Sequence, residues 1–460
     1  MQESLLPVKQ DHPWRQIIAL AVPNVASSLV MYSSVVITTL CISHEDEPAL
    51  LAGFGLGTLI SNVLAISIGV GLTSVLETLV SQAYGAGNFH LSAIHLNRAR
   101  LVVTLILLPC CLNLYYTEYF LLVLQQDPQV ARLAAEYTRN YMWGMLPFFQ
   151  LCCTSSFLRS CQRPTPPLYT NILGSFVHLF VSIYLINFCK MGLRGAGIAM
   201  GINSLLRFLL LEFYLFRHPE LHGHHFTKEV WSLRGIRHFL GLGIPSFLLV
   251  AAEWSAFELQ SVLAGWVSTD GLAAHVAGIN LIAILYMIPS GLSQSLSTLV
   301  GASLGEGLPE LAKDFTKKGC ILMMLIASTY GACIFIWQAS IARVYSTDEK
   351  MSQIMKSILP IISILVIGDA MATTITGTIR GLGLQTRAAQ YQMLAMFGVM
   401  LPIGYLSYSY LGVPGIWIGS VVGTLTSTVL FFSLIRRTSF AECSRRAIYE
   451  ASLNHIVSSP

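Results

Sequence analysis

The sequence predicts an all-α integral membrane protein of twelve membrane-crossing helices in two pseudo-symmetric six-helix bundles. Three observations predict it: an apolar excess along the whole chain, apolar runs of membrane-spanning length, and a repeat that carries the first half onto the second. Of 460 residues, 54% are hydrophobic and 11% are charged, with a mean hydropathy of +0.64. An ordinary soluble domain carries about 25% charged residues. No water-soluble fold hides that much apolar surface, so lipid is the expected solvent. The net charge of +4 is small and scattered, which excludes a nucleic-acid reader.

A bilayer core needs about 20 apolar residues per helix. The first six runs fall near 16–42, 50–74, 99–122, 137–158, 168–189 and 195–217. The second six fall near 238–266, 272–298, 318–340, 354–378, 389–411 and 414–435. They are continuously apolar rather than alternating, which favours helices over a barrel. The first run, Ile17 to Ile42, is too long for a cleavable leader, so none is expected.

Basic residues test the count. With twelve spans, nineteen Lys and Arg fall on one side, from Lys9 to Arg446, and seven on the other, leaving Arg207 inside a span. The first loop on the poorer side carries Glu45, Asp46 and Glu47 and no base. By the positive-inside bias, both termini face the cytoplasm. An odd number of spans would scramble the pattern.

The halves repeat at an offset of about 221 residues. Pro23 answers Pro245, and Val80 to Asn88 answers Val300 to Leu308. Asp127 answers Asp348, Arg159 to Thr165 answers Arg380 to Thr386, and Gly192 to Gly195 answers Gly412 to Gly415. Six spans is an even number, so both halves have one topology, related by an axis along the membrane normal with a cavity between them. The expected organisation is a cytoplasmic segment 1–15, a bundle 16–217, a linker 218–237, a bundle 238–437 and a cytoplasmic tail 438–460.

Ionisable groups at bilayer depth cost roughly 2.5–3.5 kcal/mol each and are functional candidates. Three stand out, all in the second half: Glu253 and Glu258 in the seventh span, and Asp369 in the tenth. Glu253 shares a helical face with Phe257, while Glu258 is turned about 140° away. A carboxyl stranded in lipid is neutralised by a proton or by a bound cation, and the two compete. That competition is the minimum chemistry of an antiporter. Tyr32, Trp254, Phe257 and Tyr286 offer π-faces to an organic cation, worth about 0.5–2 kcal/mol each. Asn62 and Asn280 are amides at span depth. Arg207 and Glu212 read as snorkelling groups, and His178 and His275 as hydrogen-bonded packing.

The stretch Ala252-Glu-Trp-Ser-Ala-Phe-Glu258, followed by Leu285-Tyr-Met-Ile-Pro-Ser-Gly291, resembles the multidrug and toxic compound extrusion (MATE) family. So do Gly71 to Asn88 and the run from Gly368-Asp-Ala-Met to Arg380-Gly-Leu-Gly383. The resemblance covers roughly residues 15–437 and looks closest to animal, proton-coupled members. It implies a V-shaped, two-bundle transporter that exports organic cations. It makes Glu253 the essential acid, Glu258 the second acid of the motif, Asp369 the counterpart of a tenth-span glutamate, and Asn62 a cavity asparagine. Asn280 departs from the glutamate of mammalian members, and the first span lacks the aspartate that bacterial members carry.

The function expected is therefore secondary active antiport of organic cations or xenobiotics against protons by alternating access. The alternatives are sodium coupling, or flipping of amphipathic metabolites, on the same scaffold. No HExxH motif and no nucleophile with an evident base points to an enzyme. Ten cysteines include no CxxC pair, and no cofactor or metal is expected. The expected partners are a drug-like cation, protons and the lipid bilayer, with no nucleic acid and one chain as the working unit. The plasma membrane and an acidic organelle are the two candidate locations.

Overall fold

The computed structural model of the chain describes residues 12–45, 47–221, 227–267, 269–345 and 349–457. Lys9, Asp46, Asp348 and residues 222–226 of the linker lie outside the described residues. Every regular element among the described residues is helical. The long helices are α1 (Pro13–Ser43), α2 (Ala49–Gly85), α3 (Phe89–Tyr115), α4 (Pro128–Tyr141), α5 (Met145–Ser160), α6 (Thr165–Phe188) and α7 (Gly192–Arg217). The second series is α8 (Leu233–Val267), α9 (Thr269–Gly305), α10 (Pro309–Ile336), α11 (Glu349–Leu382), α12 (Gln385–Leu411), α13 (Val413–Arg437) and α14 (Phe440–Val457).

Among the described residues, eleven helices are long and apolar enough to cross a membrane. The twelfth expected run, 137–158, is built from α4 and α5 joined by a 3-10 turn at Met142–Gly144. The turn sits at a close crossing: a Cβ on Gly144 would fall 2.5 Å from the Gly201 Cα of α7. Gly144 cannot be enlarged without parting those backbones, and a Cβ on Gly201 would collide with the Trp143 ring. Hydropathy records none of this, because the cause is a contact 57 residues away in the chain.

The repeat is visible in the turns. Gly87 and Gly307, equivalent residues, both adopt positive φ, 74° and 80°, where a side chain would be strained. Gly192 and Gly412 do the same before the sixth span of each half. The fifth span of each half carries a π-helical stretch, Ile183–Phe188 in α6 and Leu394–Met400 in α12. A third π turn, Asn62–Ile66, interrupts α2 and starts at Asn62.

The contacts divide the chain into two compact units. One comprises the residues up to Val25 with Leu248–Ile448; the other comprises Ala26–Phe247 with the residues from Tyr449 on. The divisions in α1 and α8 fall two residues after Pro23 and Pro245, the equivalent prolines. A proline lacks the N–H of its turn, which makes that turn the cheapest place for a helix to change its packing partners.

In the unit containing Leu248–Ile448, α11 is central. Its most apolar window is 78% buried, against 22–39% for α9, α10, α12 and α13. It runs through two apolar clusters. Met355, Ile358, Ile362 and Val366 belong to one, with Trp417 of α13. Ala370, Ile375 and Ile379 belong to the other, with Leu296 of α9 and Phe315 of α10. The Ala26–Phe247 unit has one large cluster that draws on α2, α3, α4, α5 and α7.

An acidic group at the seam of one unit

Asp369 lies on α11 between those two clusters, at their seam, and is 6% exposed. The seam is set by close packing of α9 on α11. Ser293 donates its hydroxyl to the Thr373 carbonyl at 2.7 Å. One turn on, Gly377 of α11 meets the Ser293 carbonyl so closely that a Cβ there would collide with it. A further turn on, Gly381 lies against Ser297 and Val300. Paired positions rise together along both helices, so α9 and α11 run in the same direction. Followed back about two turns, that register puts Tyr286 of α9 at the height of Asp369. Tyr286 bonds the Thr373 side chain and acts electrostatically on both Glu253 and Asp369.

Glu253 reaches the same place from α8. It is half-buried and within electrostatic range of Asp369 and of Arg380, three turns along α11. Tyr330 of α10 closes the group: it packs against both clusters, its hydroxyl donates to the Val366 carbonyl at 3.3 Å, and Asp369 lies within its electrostatic range. Four helices thus bring two carboxyls and two phenols to one point. Such a group can exchange a proton or hold a cation, and its phenols can donate to either carboxylate.

The other candidates divide. Trp254 is half-buried one residue from Glu253. Phe257 packs towards α12, with Ala395, Met396 and Met400. Glu258 is half-buried, but neither Asp369 nor Arg380 acts on it. Asn280 is exposed on α9, six residues before Tyr286. Tyr32 and Asn62 are half-buried and belong to the Ala26–Phe247 unit. Among the described residues, no three His, Cys, Asp or Glu side chains gather as metal ligands.

Thr373 and Tyr330 carry no charge and are not singled out by the sequence, while Arg380 enters there as a base, a repeat position and part of the resemblance, not as a neighbour of the acids. Thr373 stands four residues after Asp369, so helical spacing placed it on the same face. Gln260, seven residues after Glu253, is fully buried; it donates to the Ile416 carbonyl at 3.2 Å and accepts from Ser420 at 2.7 Å, tying α8 to α13.

The Ala26–Phe247 unit buries a different network. Arg207 does not snorkel, as its place in an apolar run suggested; it is 5% exposed and donates twice to Asn171 Oδ1. Gly174 of α6 leaves the space for its stem, since a Cβ there would collide with Arg207 and Asn203. Asn171 passes the chain on to Ser27, donating to its hydroxyl at 2.7 Å and its carbonyl at 3.1 Å. Alongside, Asn203 donates to Ser34, and His178 bonds Thr38 at 2.9 Å. Glu212 is paired with Arg100 and accepts from Thr154 at 2.7 Å.

The MatE family model matches twice, over residues 23–184 and 245–406, which is the repeat read from the sequence. Multidrug and toxin extrusion protein 1 of Homo sapiens is 28% identical over 444 residues, covering 95% of this chain and 77% of the human protein. Multidrug and toxin extrusion protein 2 of Oryctolagus cuniculus is 27% identical, covering 91% and 70%. Among solved structures, a crystal structure of a eukaryotic MATE transporter superposes with a TM-score of 0.90 at 23% identity, covering 95% of this chain and 99% of that one. An outward-facing multidrug resistance MATE transporter gives 0.84 at 16% identity, covering 96% and 97%. Repeat, helical architecture and matched residues agree, and this chain belongs to the MatE family of multi-pass membrane transporters.

Proposed function

We propose that the protein exports organic cations in exchange for protons, with Glu253 and Asp369 as the exchanging groups and both termini in the cytoplasm. The observation that carries the reading is the pairing of these two carboxyls, from different helices, at a membrane-depth seam shared with Tyr286. Two acids in one low-dielectric place demand positive charge, and a proton or a cargo cation supplies it equally well. A cytosolic cation meets ionised Glu253 and the carrier turns outward. Protonation there displaces the cation, and the protonated carrier returns. Trp254, half-buried beside Glu253, and Tyr286 present aromatic faces to the cation. The relatives named for multidrug and toxin extrusion support a drug-like cargo.

One pH unit supplies about 1.36 kcal/mol per proton, or tenfold accumulation. One-for-one exchange with a monovalent cation is electroneutral. The test is uptake of a fluorescent cation into vesicles holding the purified protein under an imposed pH gradient, without sodium. Uptake driven by the gradient and lost in Glu253→Gln is the expected result. Uptake that needs sodium, or is unchanged in the variant, overturns the reading.

A further inference from the structure

Away from the acids, a cavity of about 660 Å³ opens in the Ala26–Phe247 unit, between the start of α6 and the end of α7. Its polar groups gather at the helix ends. Arg163 precedes α6, while Arg217 ends α7 and His218 follows it. Each base is held by an aromatic ring. Arg163 donates to the Tyr214 hydroxyl at 3.4 Å, Arg217 lies over the Phe213 ring at 5.1 Å, and His218 stacks on Tyr214 with centroids 4.2 Å apart. Glu220 is the acid that acts on Arg163. Further along both helices the lining turns apolar, with Leu210 on α7 and Tyr169 and Leu173 on α6. Leu173 is eight residues into α6, about 12 Å from its start. It is 46% exposed, and Tyr169 is 66% exposed.

We propose that this groove binds an anionic phospholipid, its phosphate between Arg163 and Arg217 and its acyl chain along Leu173 and Tyr169. Charge and depth both select that occupant. Basic clefts between membrane helices on the cytoplasmic side suit anionic headgroups. A free phosphate would use the bases but not an apolar wall about 12 Å long. Arg163 is particular to this half, since the other half has Leu384 in its place, whereas Arg217 answers Arg437 at the end of the equivalent span. The leaflet, though not the binding, rests on the cytoplasmic placement of Arg163 and Arg217.

The experiment is native mass spectrometry of the full chain released from bilayers of equal phosphatidylserine and phosphatidylcholine. The wild type retains phosphatidylserine selectively. R217Q loses about fivefold of that preference, and R163Q/R217Q loses nearly all of it. K313Q/K317Q, which removes two other inner-side bases, retains it. A preference that persists in R163Q/R217Q, falls equally in K313Q/K317Q, or is abolished by millimolar inorganic phosphate overturns the proposal. Labelling of R217C from outside intact cells, above the level of the wild type with its exposed Cys189, would overturn the leaflet while leaving selective binding standing.

Discussion

In the unit built on Leu248–Ile448, polar groups at membrane depth include two carboxyls that act on one another, Glu253 and Asp369. In the unit built on Ala26–Phe247, the corresponding spans bury a guanidinium, two amides, a histidine and several hydroxyls, largely joined in hydrogen bonds. The scaffold is duplicated and the chemistry is not. A buried network whose groups mostly bond one another is rigid and specific, and here the Asn203 amide oxygen is the exception. A pair of acids still demands a cation or a proton. The guanidinium of Arg207 also makes its network a poor place for a second cation. Under the proposed exchange, the Leu248–Ile448 unit holds the working site and the Ala26–Phe247 unit serves as its frame.

The largest effect expected from this contrast is on transport. Asp369→Asn should remove the accumulation driven by an imposed pH gradient, about tenfold per pH unit. His178→Asn, in the other unit, should leave it intact. The check is the initial rate of cation uptake at several gradients, normalised to folded protein. Equal loss in both variants would break the contrast, because the proposed proton chemistry would then not be confined to one unit.

Next in size is a packing effect. Gly377→Ala pushes a methyl group into the Ser293 carbonyl, a backbone atom on a helix clamped by its own hydrogen bond. It should destabilise the protein by about 3 kcal/mol in detergent unfolding, since neither helix can yield locally. Gly174→Ala meets the Arg207 stem and the Asn203 amide oxygen instead, side-chain rather than backbone atoms, and should cost about half as much. Arg207→Met leaves the Asn171 oxygen without its donor and should cost about 2 kcal/mol while transport per folded molecule persists. Loss of transport without loss of stability would move Arg207 from frame to mechanism.

What was legible in the sequence follows from which forces act locally. Apolar runs and the positive-inside bias report each span's own transfer energy, so the spans and the repeat could be read directly. Glu253 and Asp369 stood out because a charge in an apolar run is costly wherever the run ends up. The break between α4 and α5 was hidden, because it comes from Gly144 meeting Gly201. The division of α1 and α8 between the units was hidden too, since hydropathy marks where a span starts and stops, not what each half of it touches. Arg207 misled for a related reason: whether an arginine snorkels depends on a space at Gly174 and an acceptor at Asn171, both on another helix. Tyr330 and Thr373 are uncharged and merge with the ordinary composition of membrane helices.

Gln260 sharpens the contrast at its smallest scale, because it lies in the unit with the acids yet has the character of the frame. Its amide is fully buried, gives one hydrogen bond to the Ile416 carbonyl and takes one from Ser420. Hydrogen bonds between membrane helices average about 0.6 kcal/mol each, so Gln260→Leu should cost about 1 kcal/mol in unfolding. Glu253 stands two turns away on the same face of α8, and its position depends on how firmly α8 is held to α13. If Gln260→Leu loses only that stability and keeps its uptake rate and pH dependence, the clamp is structural. If stability is unchanged while the pH dependence of uptake shifts, the amide tunes the carboxyl, and the working part of the unit extends two turns further along α8.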